Sequence, residues 1–267
     1  MPGTFNGTTL TISATPVDHA LIPDEGATNV AGIAIVGSDM YCVKTTGLKT
    51  TLLKTTDYMA TKATAVKKDL NWFALGLTKI GNYLYMLAED HKGYGGSTTI
   101  VKLDTKGNQL GTYSINEICP KGALGITAAD GTNEKFIIMH YADKSNAGTL
   151  TFSVVDWKAA KAASTFTVTN SGFGYTTQLQ DIYYHTSFGL FILTNNTFST
   201  LQNRILVVDY HLTDDKGKKY TPCAVINVNK TGEYKQYNLE SICMKANHLV
   251  LASNVIPCLF YTSDAAD

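Results

Sequence analysis

Ile100-Val101-Lys102-Leu103-Asp104 is an apolar run that ends in an aspartate, and this pattern occurs five times in the 267-residue chain. The other four copies run from Leu52 to Asp57, Phe152 to Asp156, Ile205 to Asp209 and Leu259 to Asp264. Successive aspartates are 47, 52, 53 and 55 residues apart. A period of this size predicts a radial β-architecture in which each repeat is one small antiparallel sheet.

A pair of apolar segments joined by a short polar turn precedes each aspartate. In the first copy these segments are Gly32–Ile35 and Met40–Val43. The first segment of each later copy begins at Gly76, Gly125, Asp181 and Ser241. These starts are 44, 49, 56 and 60 residues apart, so the repeat lengthens toward the C-terminus through longer loops rather than extra strands.

Each repeat therefore predicts four strands, which we label A to D in chain order. Strand A is short and rich in small residues, B is aromatic and aliphatic, C ends in the aspartate, and D is polar and alternating, as in Gln109–Ile115. Three copies of strand A begin with glycine, at Gly32, Gly76 and Gly125. We expect strand A to lie nearest a central axis, where neighbouring sheets converge and leave the least room.

The two ends of the chain predict how the ring closes. The fifth repeat stops at Asp264–Asp267, directly after its strand C, and has no strand D of its own. The N-terminal run Thr8–Ala14 alternates like a strand but belongs to no complete repeat. We expect this run to pair with the last strand, because an open edge would otherwise invite aggregation.

This pattern resembles the β-propeller fold with a mixed N- and C-terminal blade, over essentially the whole chain. The resemblance implies an all-β, five-bladed β-propeller of four-stranded antiparallel blades, with an N-terminal strand completing the last blade. It also implies a single domain over residues 1–267, since no linker-like segment interrupts the repeats. The likeness is one of architecture, because the WD dipeptides, kelch diglycines and aspartate-box motifs of familiar propeller families are missing.

Charge and composition restrict the partners. Lys plus Arg equals Asp plus Glu at 22 each, and no basic stripe is present, which argues against nucleic acid. A low charged fraction of 16% and 15 tyrosines favour an extracellular or cell-surface location, although strand content alone explains the same bias. No signal-peptide pattern and no apolar run of about 18 residues is visible, so we expect no membrane insertion.

We predict no cofactor and no metal. The five cysteines have no CxxC spacing, so buried free thiols are expected rather than a zinc site or a full disulfide framework. The aspartate turns lack the alternating acidic ladder that calcium requires. Their simpler explanation is a turn in which the aspartate side chain bonds the backbone two residues on, as expected in Asp104–Asn108.

The propeller resemblance also locates a candidate site. In that fold the B to C loops and the entries to strand A surround one mouth of the central channel, where ligands usually bind. We expect the ligand-binding residues to be Trp72, Glu89, Asp90, His91, Asp143, Gln180, Asn195, Asn196, Glu240 and Asn254.

Three functions compete for this site. A protein-interaction platform needs only an exposed patch, whereas a carbohydrate-binding propeller would use amides and carboxylates with Trp72 stacked on a sugar. Both are non-catalytic recognition modules with a protein or glycan partner. The alternative is a glycoside hydrolase or related hydrolase, with carboxyl groups converging at about 5 to 9.5 Å. The carboxyl groups available for such catalysis are Glu89, Asp90, Asp143, Asp181 and Glu240.

Overall fold

The structure is a computed structural model. It describes residues 10–14, 18–22, 29–56, 63–90, 97–140, 149–169, 178–195, 203–212, 217–228, 238–246, 248–253 and 258–264. Within these ranges the chain forms β-strands and no helix. The strands are Leu10–Ala14 (β1), Asp18–Ile22 (β2), Asn29–Val36 (β3), Asp39–Thr46 (β4), Lys49–Thr55 (β5), Thr64–Leu70 (β6), Phe73–Ile80 (β7), Tyr83–Glu89 (β8), Thr98–Leu103 (β9), Gln109–Ser114 (β10), Ala123–Ala128 (β11), Lys135–His140 (β12), Thr149–Asp156 (β13), Ser164–Thr169 (β14), Gln178–His185 (β15), Gly189–Asn195 (β16), Asn203–Val208 (β17), Lys219–Tyr220 (β18), Ala224–Val228 (β19), Leu239–Lys245 (β20), His248–Ser253 (β21) and Cys258–Asp264 (β22).

The strands form separate sheets that follow one another along the chain, which confirms the predicted all-β class. Their hydrogen-bonded orders are β3-β4-β5-β6, β7-β8-β9-β10, β11-β12-β13-β14-β18, β15-β16-β17-β19-β1 and β20-β21-β22-β2. Two sheets thus carry a fifth strand, and both added strands run parallel to their neighbours. The prediction of four strands in every sheet is therefore wrong for these two.

The first strand of each sheet lies at the centre of the molecule. Strand β3 contacts β7, β7 contacts β11, β11 contacts β15, β15 contacts β20, and β20 contacts β3 again. We call these five the inner strands. Buried apolar clusters fill the space between successive sheets, and one of them joins Ile33 and Met40 of the first sheet to Val250 of the last.

Every inner strand contains a register shift at the same place in its repeat. One residue at each shift has no partner on the neighbouring strand; we call these the bulge residues, and they are Ala31, Leu75, Leu124, Gln180 and Glu240. The residues that follow them are called the axial residues, and they are Gly32, Gly76, Gly125, Asp181 and Ser241. The axial residues are the repeat starts predicted from the sequence, so the predicted alignment of the repeats is confirmed.

Crowding explains why the axial residues are small. A Cβ atom built on Gly32 would lie 2.2 Å from the backbone N of Leu77, a distance that no real Cβ contact has. A Cβ atom on Gly125 would lie 3.2 Å from Oδ1 of Asp181. The prediction that strand A lies nearest the central axis, where neighbouring sheets leave the least room, is confirmed.

The closing segment differs from the one predicted. Strand β2 pairs antiparallel with β22, whereas β1 pairs in parallel with β19 of the preceding sheet. The prediction that Thr8–Ala14 completes the last sheet is therefore wrong, although a segment near the N-terminus does pair there. Only six residues separate Ile22, at the end of β2, from Asn29, at the start of β3. The strand that completes the last sheet is therefore joined to the first sheet by a short connection, as is usual in compact domains.

The turn after β9 has the predicted side-chain hydrogen bonds. Oδ1 of Asp104 accepts the backbone N–H groups of Lys106 at 2.9 Å and Asn108 at 2.8 Å, and Oδ2 accepts Nδ2 of Asn108 at 2.8 Å. Partial burial opposes ionisation, but these hydrogen bonds keep the pKa of Asp104 below its usual value.

We expect Asp104→Ala to lower the free energy of unfolding by about 1 kcal/mol, because the turn loses its side-chain acceptors. Urea denaturation measures the change, and Glu117→Ala at an exposed position is the control. A loss no larger than that of the control would show that the carboxylate does not stabilise the turn.

Candidate functional site

A cavity of about 130 Å³ opens where the inner strands begin. All five bulge residues line it, together with Val30, Phe73, Ala74 and Leu179. Each bulge residue is half-buried, while the axial residue that follows it is buried. The cavity wall thus takes one equivalent residue from each repeat.

The bulges explain why these side chains reach the cavity. An extra residue in one strand has no partner in the ladder and bends the strand locally, which re-aims its side chain. Because the five shifts occupy the same position in five repeats, the five side chains meet around one axis. Three of them, at Ala31, Leu75 and Leu124, are apolar, so the polar chemistry of the cavity comes from the fourth and fifth repeats.

Glu240 is the ionisable group of the cavity wall. Its Oε1 accepts a hydrogen bond from Nδ2 of Asn238 at 2.7 Å. Burial raises the pKa of Glu240 to about 7, and the hydrogen bond from Asn238 opposes only part of that rise. A pKa in this range suits proton exchange near neutral pH, and Gln180 lines the same cavity.

Asp181 lies next to the cavity wall in the axial layer and is enclosed. Its Oδ2 accepts the Ser241 hydroxyl at 2.5 Å and the Ile242 N–H at 3.2 Å, and its Oδ1 accepts the Ile182 N–H at 2.9 Å. The Ser241 oxygen also accepts the N–H of Ile33 at 3.0 Å, so this network joins three inner strands. Burial, with the charge of Glu240 as a smaller cause, raises the pKa of Asp181 to about 8.

A second, smaller cavity of about 50 Å³ is lined by residues that follow the axial layer, including Ile33, Leu77, Ile126, Ile182 and Ile242. The two cavities are lined by residues on opposite sides of the axial residues in the sequence. The axial layer therefore lies between them, with Asp181 as its largest side chain.

The structure brings together two of the predicted site residues, Gln180 and Glu240, in the cavity wall. Trp72 is not among the lining residues, and its indole N–H donates to Oε1 of Gln109 at 3.1 Å. Glu89 is buried at the end of β8, and Asp90 follows it; neither lines the cavity. His91, Asp143, Asn196 and Asn254 lie outside the described residues, as does the side chain of Asn195.

The sequence analysis did not predict the apolar residues of the cavity wall. Ala31, Leu75 and Leu124 read as ordinary core residues of a strand, and Phe73 reads as the start of an apolar run. The repeat alignment contains the missing signal, because each bulge residue immediately precedes an axial residue. Aligning the five repeats and comparing the residue before each axial residue would have identified all five bulge residues.

Comparison with known proteins supports the fold. No protein-family model matches the chain, and no curated protein matches it. A glutaminyl cyclase from Myxococcus xanthus has a similar structure, with a TM-score of 0.59 and 16% identity over 97% of this chain and 100% of that one. An exo-β-1,3-galactanase from Phanerochaete chrysosporium gives 0.57 with 11% identity, over 92% of this chain and 63% of that one.

A glycosyl hydrolase from Bacteroides ovatus gives a TM-score of 0.52 with 9% identity, over 89% of this chain and 84% of that one. With the ring of inner strands, these likenesses define the class of the protein. The chain is a β-propeller. At identities this low the likeness extends to the fold alone.

The described residues also bear on two other kinds of site. No group of three or more His, Cys, Asp or Glu side chains there could hold a metal ion. No described helix is long and apolar enough to cross a membrane. Cys42, Cys119 and Cys243 are buried thiols and Cys223 is a half-buried one, and none of these four described cysteines forms a disulfide.

Proposed function

We propose that the protein is a non-catalytic recognition module that binds a protein partner at the channel mouth. The observation that carries the proposal is the cavity itself, with its apolar walls and only two polar lining side chains, Gln180 and Glu240. An apolar concavity with a few convergent polar groups is the usual form of a binding site.

The size of the cavity favours a small inserted group. Its volume of about 130 Å³ is below the roughly 300 to 1,000 Å³ of pockets that enclose a whole small molecule. One side chain of a protein partner suits that space, with the surrounding face supplying the rest of the contact. A carbohydrate-binding surface would use a stacking ring at the site. The Trp72 indole, predicted for that role, is hydrogen-bonded to Gln109, which leaves Phe73 as the aromatic residue of the cavity wall.

An enzyme is the second candidate, and the pKa of Glu240 near 7 favours it because a general acid or base works best when its pKa lies near the operating pH. A two-carboxylate hydrolase receives less support. Asp181 is fully enclosed by three donors, which leaves Glu240 as the carboxyl group of the described residues that lines the cavity.

We further infer that each sheet is one blade of a five-bladed ring, and that residues 1–267 form a single domain. The cyclic contacts of the inner strands support this inference. The apolar cluster shared by the first and last sheets supports it as well, because it closes the circle of packed interfaces.

The test is selection of peptides from a random display library on immobilised protein, followed by fluorescence anisotropy with the selected peptides. We expect Ala31→Phe, which fills the cavity from a half-buried position, to weaken binding at least about tenfold through overpacking and lost burial. Glu117→Gln at an exposed position is expected to leave the affinity unchanged.

Three other results would indicate a different binding site or a different function. Peptides that bind Ala31→Phe as tightly as the native protein would show that the channel mouth is not the site. Binding on a glycan array that Ala31→Phe abolishes would establish that the protein binds carbohydrate at this cavity. Turnover of an N-terminal glutaminyl peptide or of β-1,3-galactan, lost in Glu240→Gln, would establish an enzyme.

A further inference from the structure

The cavity contains an acidic group with no cationic partner in the described part of the chain. The lining residues include no lysine, arginine or histidine. Among the described residues, the hydrogen-bond partner of the Glu240 carboxyl group is the neutral amide of Asn238, and the charge of Glu240 raises the pKa of Asp181, which is another acid. Buried carboxylates in proteins are normally paired with a cation.

We propose that the partner inserts a lysine side chain into this cavity, so that its ammonium group pairs with Glu240. This inference rests on the proposed function and names the chemistry of its ligand.

The wall of the cavity matches both parts of a lysine side chain. Ala31, Leu75, Leu124 and Phe73 supply apolar surface against which a four-carbon stem can be buried. The stem ends in a compact ammonium group, which fits a narrow space better than the broad planar guanidinium of arginine. The hydrogen bond from Asn238 reaches Oε1 of Glu240; among the described residues no hydrogen bond reaches Oε2, which would contact the ligand.

Electrostatics gives the inserted cation a second role. The charge of Glu240 contributes to the raised pKa of Asp181, as expected for two acids in one channel. A cation between Glu240 and solvent would favour the carboxylate form and offset this repulsion. Binding should therefore be accompanied by release of a proton from Glu240, and the affinity should rise with pH.

The sign of the pH dependence follows from the free protein. Because the pKa of Glu240 is about 7, only a few per cent of the groups are ionised at about pH 5.5, and most are ionised at about pH 8. An alkylammonium ion keeps its charge over this range. The affinity for n-butylammonium should therefore fall roughly 30-fold from about pH 8 to about pH 5.5.

The direct test uses n-butylammonium as the probe and NMR titration as the readout, with n-butanol and butyrate as neutral and anionic probes of similar length. We expect n-butylammonium to bind most tightly. Glu240→Gln should abolish that preference, whereas Glu117→Gln, which removes the same charge at an exposed position, should keep it. Ala31→Phe should block all three probes, and thermal unfolding of each variant reports whether it has folded.

Three results would overturn the inference. One is equal affinity for n-butylammonium and n-butanol in the native protein. A second is undiminished n-butylammonium binding by folded Glu240→Gln. The third is an affinity for n-butylammonium that does not change between the two pH values.

The selected peptides separate this inference from the proposed function. Replacing their lysines by norleucine, which keeps the stem and removes the charge, should cost at least tenfold in affinity. If the norleucine peptides still bind at the channel mouth, the recognition module stands and the lysine inference fails. If acetylation of the peptide N-terminus removes binding while norleucine does not, the cation is the chain terminus, and the lysine assignment is wrong. If no peptide binds, the proposed function fails.

Discussion

Gly32→Ala is expected to destabilise the protein by more than about 4 kcal/mol, which is exceptional for the addition of one methyl group. The new Cβ would lie 2.2 Å from the backbone N of Leu77 and 2.6 Å from the backbone carbonyl C of Gly76. Both obstacles belong to the backbone of β7, so relief requires two inner strands to move apart. Urea denaturation measures the loss, and size-exclusion chromatography reports whether the ring remains compact.

Two other glycines provide a graded control. Gly131→Ala places its Cβ where no atom lies within 4 Å and should change the free energy of unfolding by less than about 0.5 kcal/mol. Gly76→Ala should fall between the two, because its Cβ would meet a side-chain methyl of Ile126 at 3.1 Å. If Gly32→Ala were no more harmful than Gly131→Ala, the close approach of β3 and β7 would be refuted.

Asp181→Asn is expected to flatten the dependence of stability on pH. The pKa of Asp181 is raised to about 8 by burial, against an ordinary value of 3.8. The folded state therefore holds a proton that the unfolded state releases. The contribution of Asp181 to the free energy of unfolding is fully present below about pH 4, and it decreases by several kcal/mol as the pH rises toward about 8. Asparagine cannot ionise, so its variant should not show this loss.

The measurement is the urea midpoint from about pH 4.5 to about pH 8.5. Glu240 also has a raised pKa and acts in the same direction, so the comparison is best made in a Glu240→Gln background. Asp69→Asn, at an exposed position with 72% side-chain exposure, is the matched control and should keep the slope of the parent. An unchanged slope in Asp181→Asn would show that Asp181 is not protonated in the folded protein.

The repeat pattern predicted the fold well because it depends on local chemistry. Strand periodicity and the aspartate turn are short-range requirements. The small residue at the start of strand A recurs because each repeat places it against the inner strand of the next repeat, as at Gly32, Gly76 and Gly125. The closing strand could not be predicted in this way. Choosing between the runs that contain β1 and β2 depends on which partner lies beside each in space, and the more regular alternation of Thr8–Ala14 was misleading.

The candidate site was predictable only where polar residues lie in it. Gln180 and Glu240 were predicted because the propeller resemblance places the entries to strand A at the channel mouth. Leu75 and Leu124 carry no such signal, because an apolar side chain in a strand indicates core packing. Trp72 was predicted to stack on a sugar, and this stays a prediction; in the structure its indole N–H donates to Oε1 of Gln109 in the same repeat.

The five bulges have a consequence for how this surface can change. A bulge residue has no partner in the strand ladder, so substituting its side chain leaves the pairing of the neighbouring residues intact. Each repeat contributes one such position. Ala31, Leu75 and Leu124 also pack against the apolar clusters between sheets, so a change there alters the packing of the scaffold as well as the cavity. Gln180 and Glu240 are polar, and ligand preference can therefore diverge at these two positions while the scaffold stays the same.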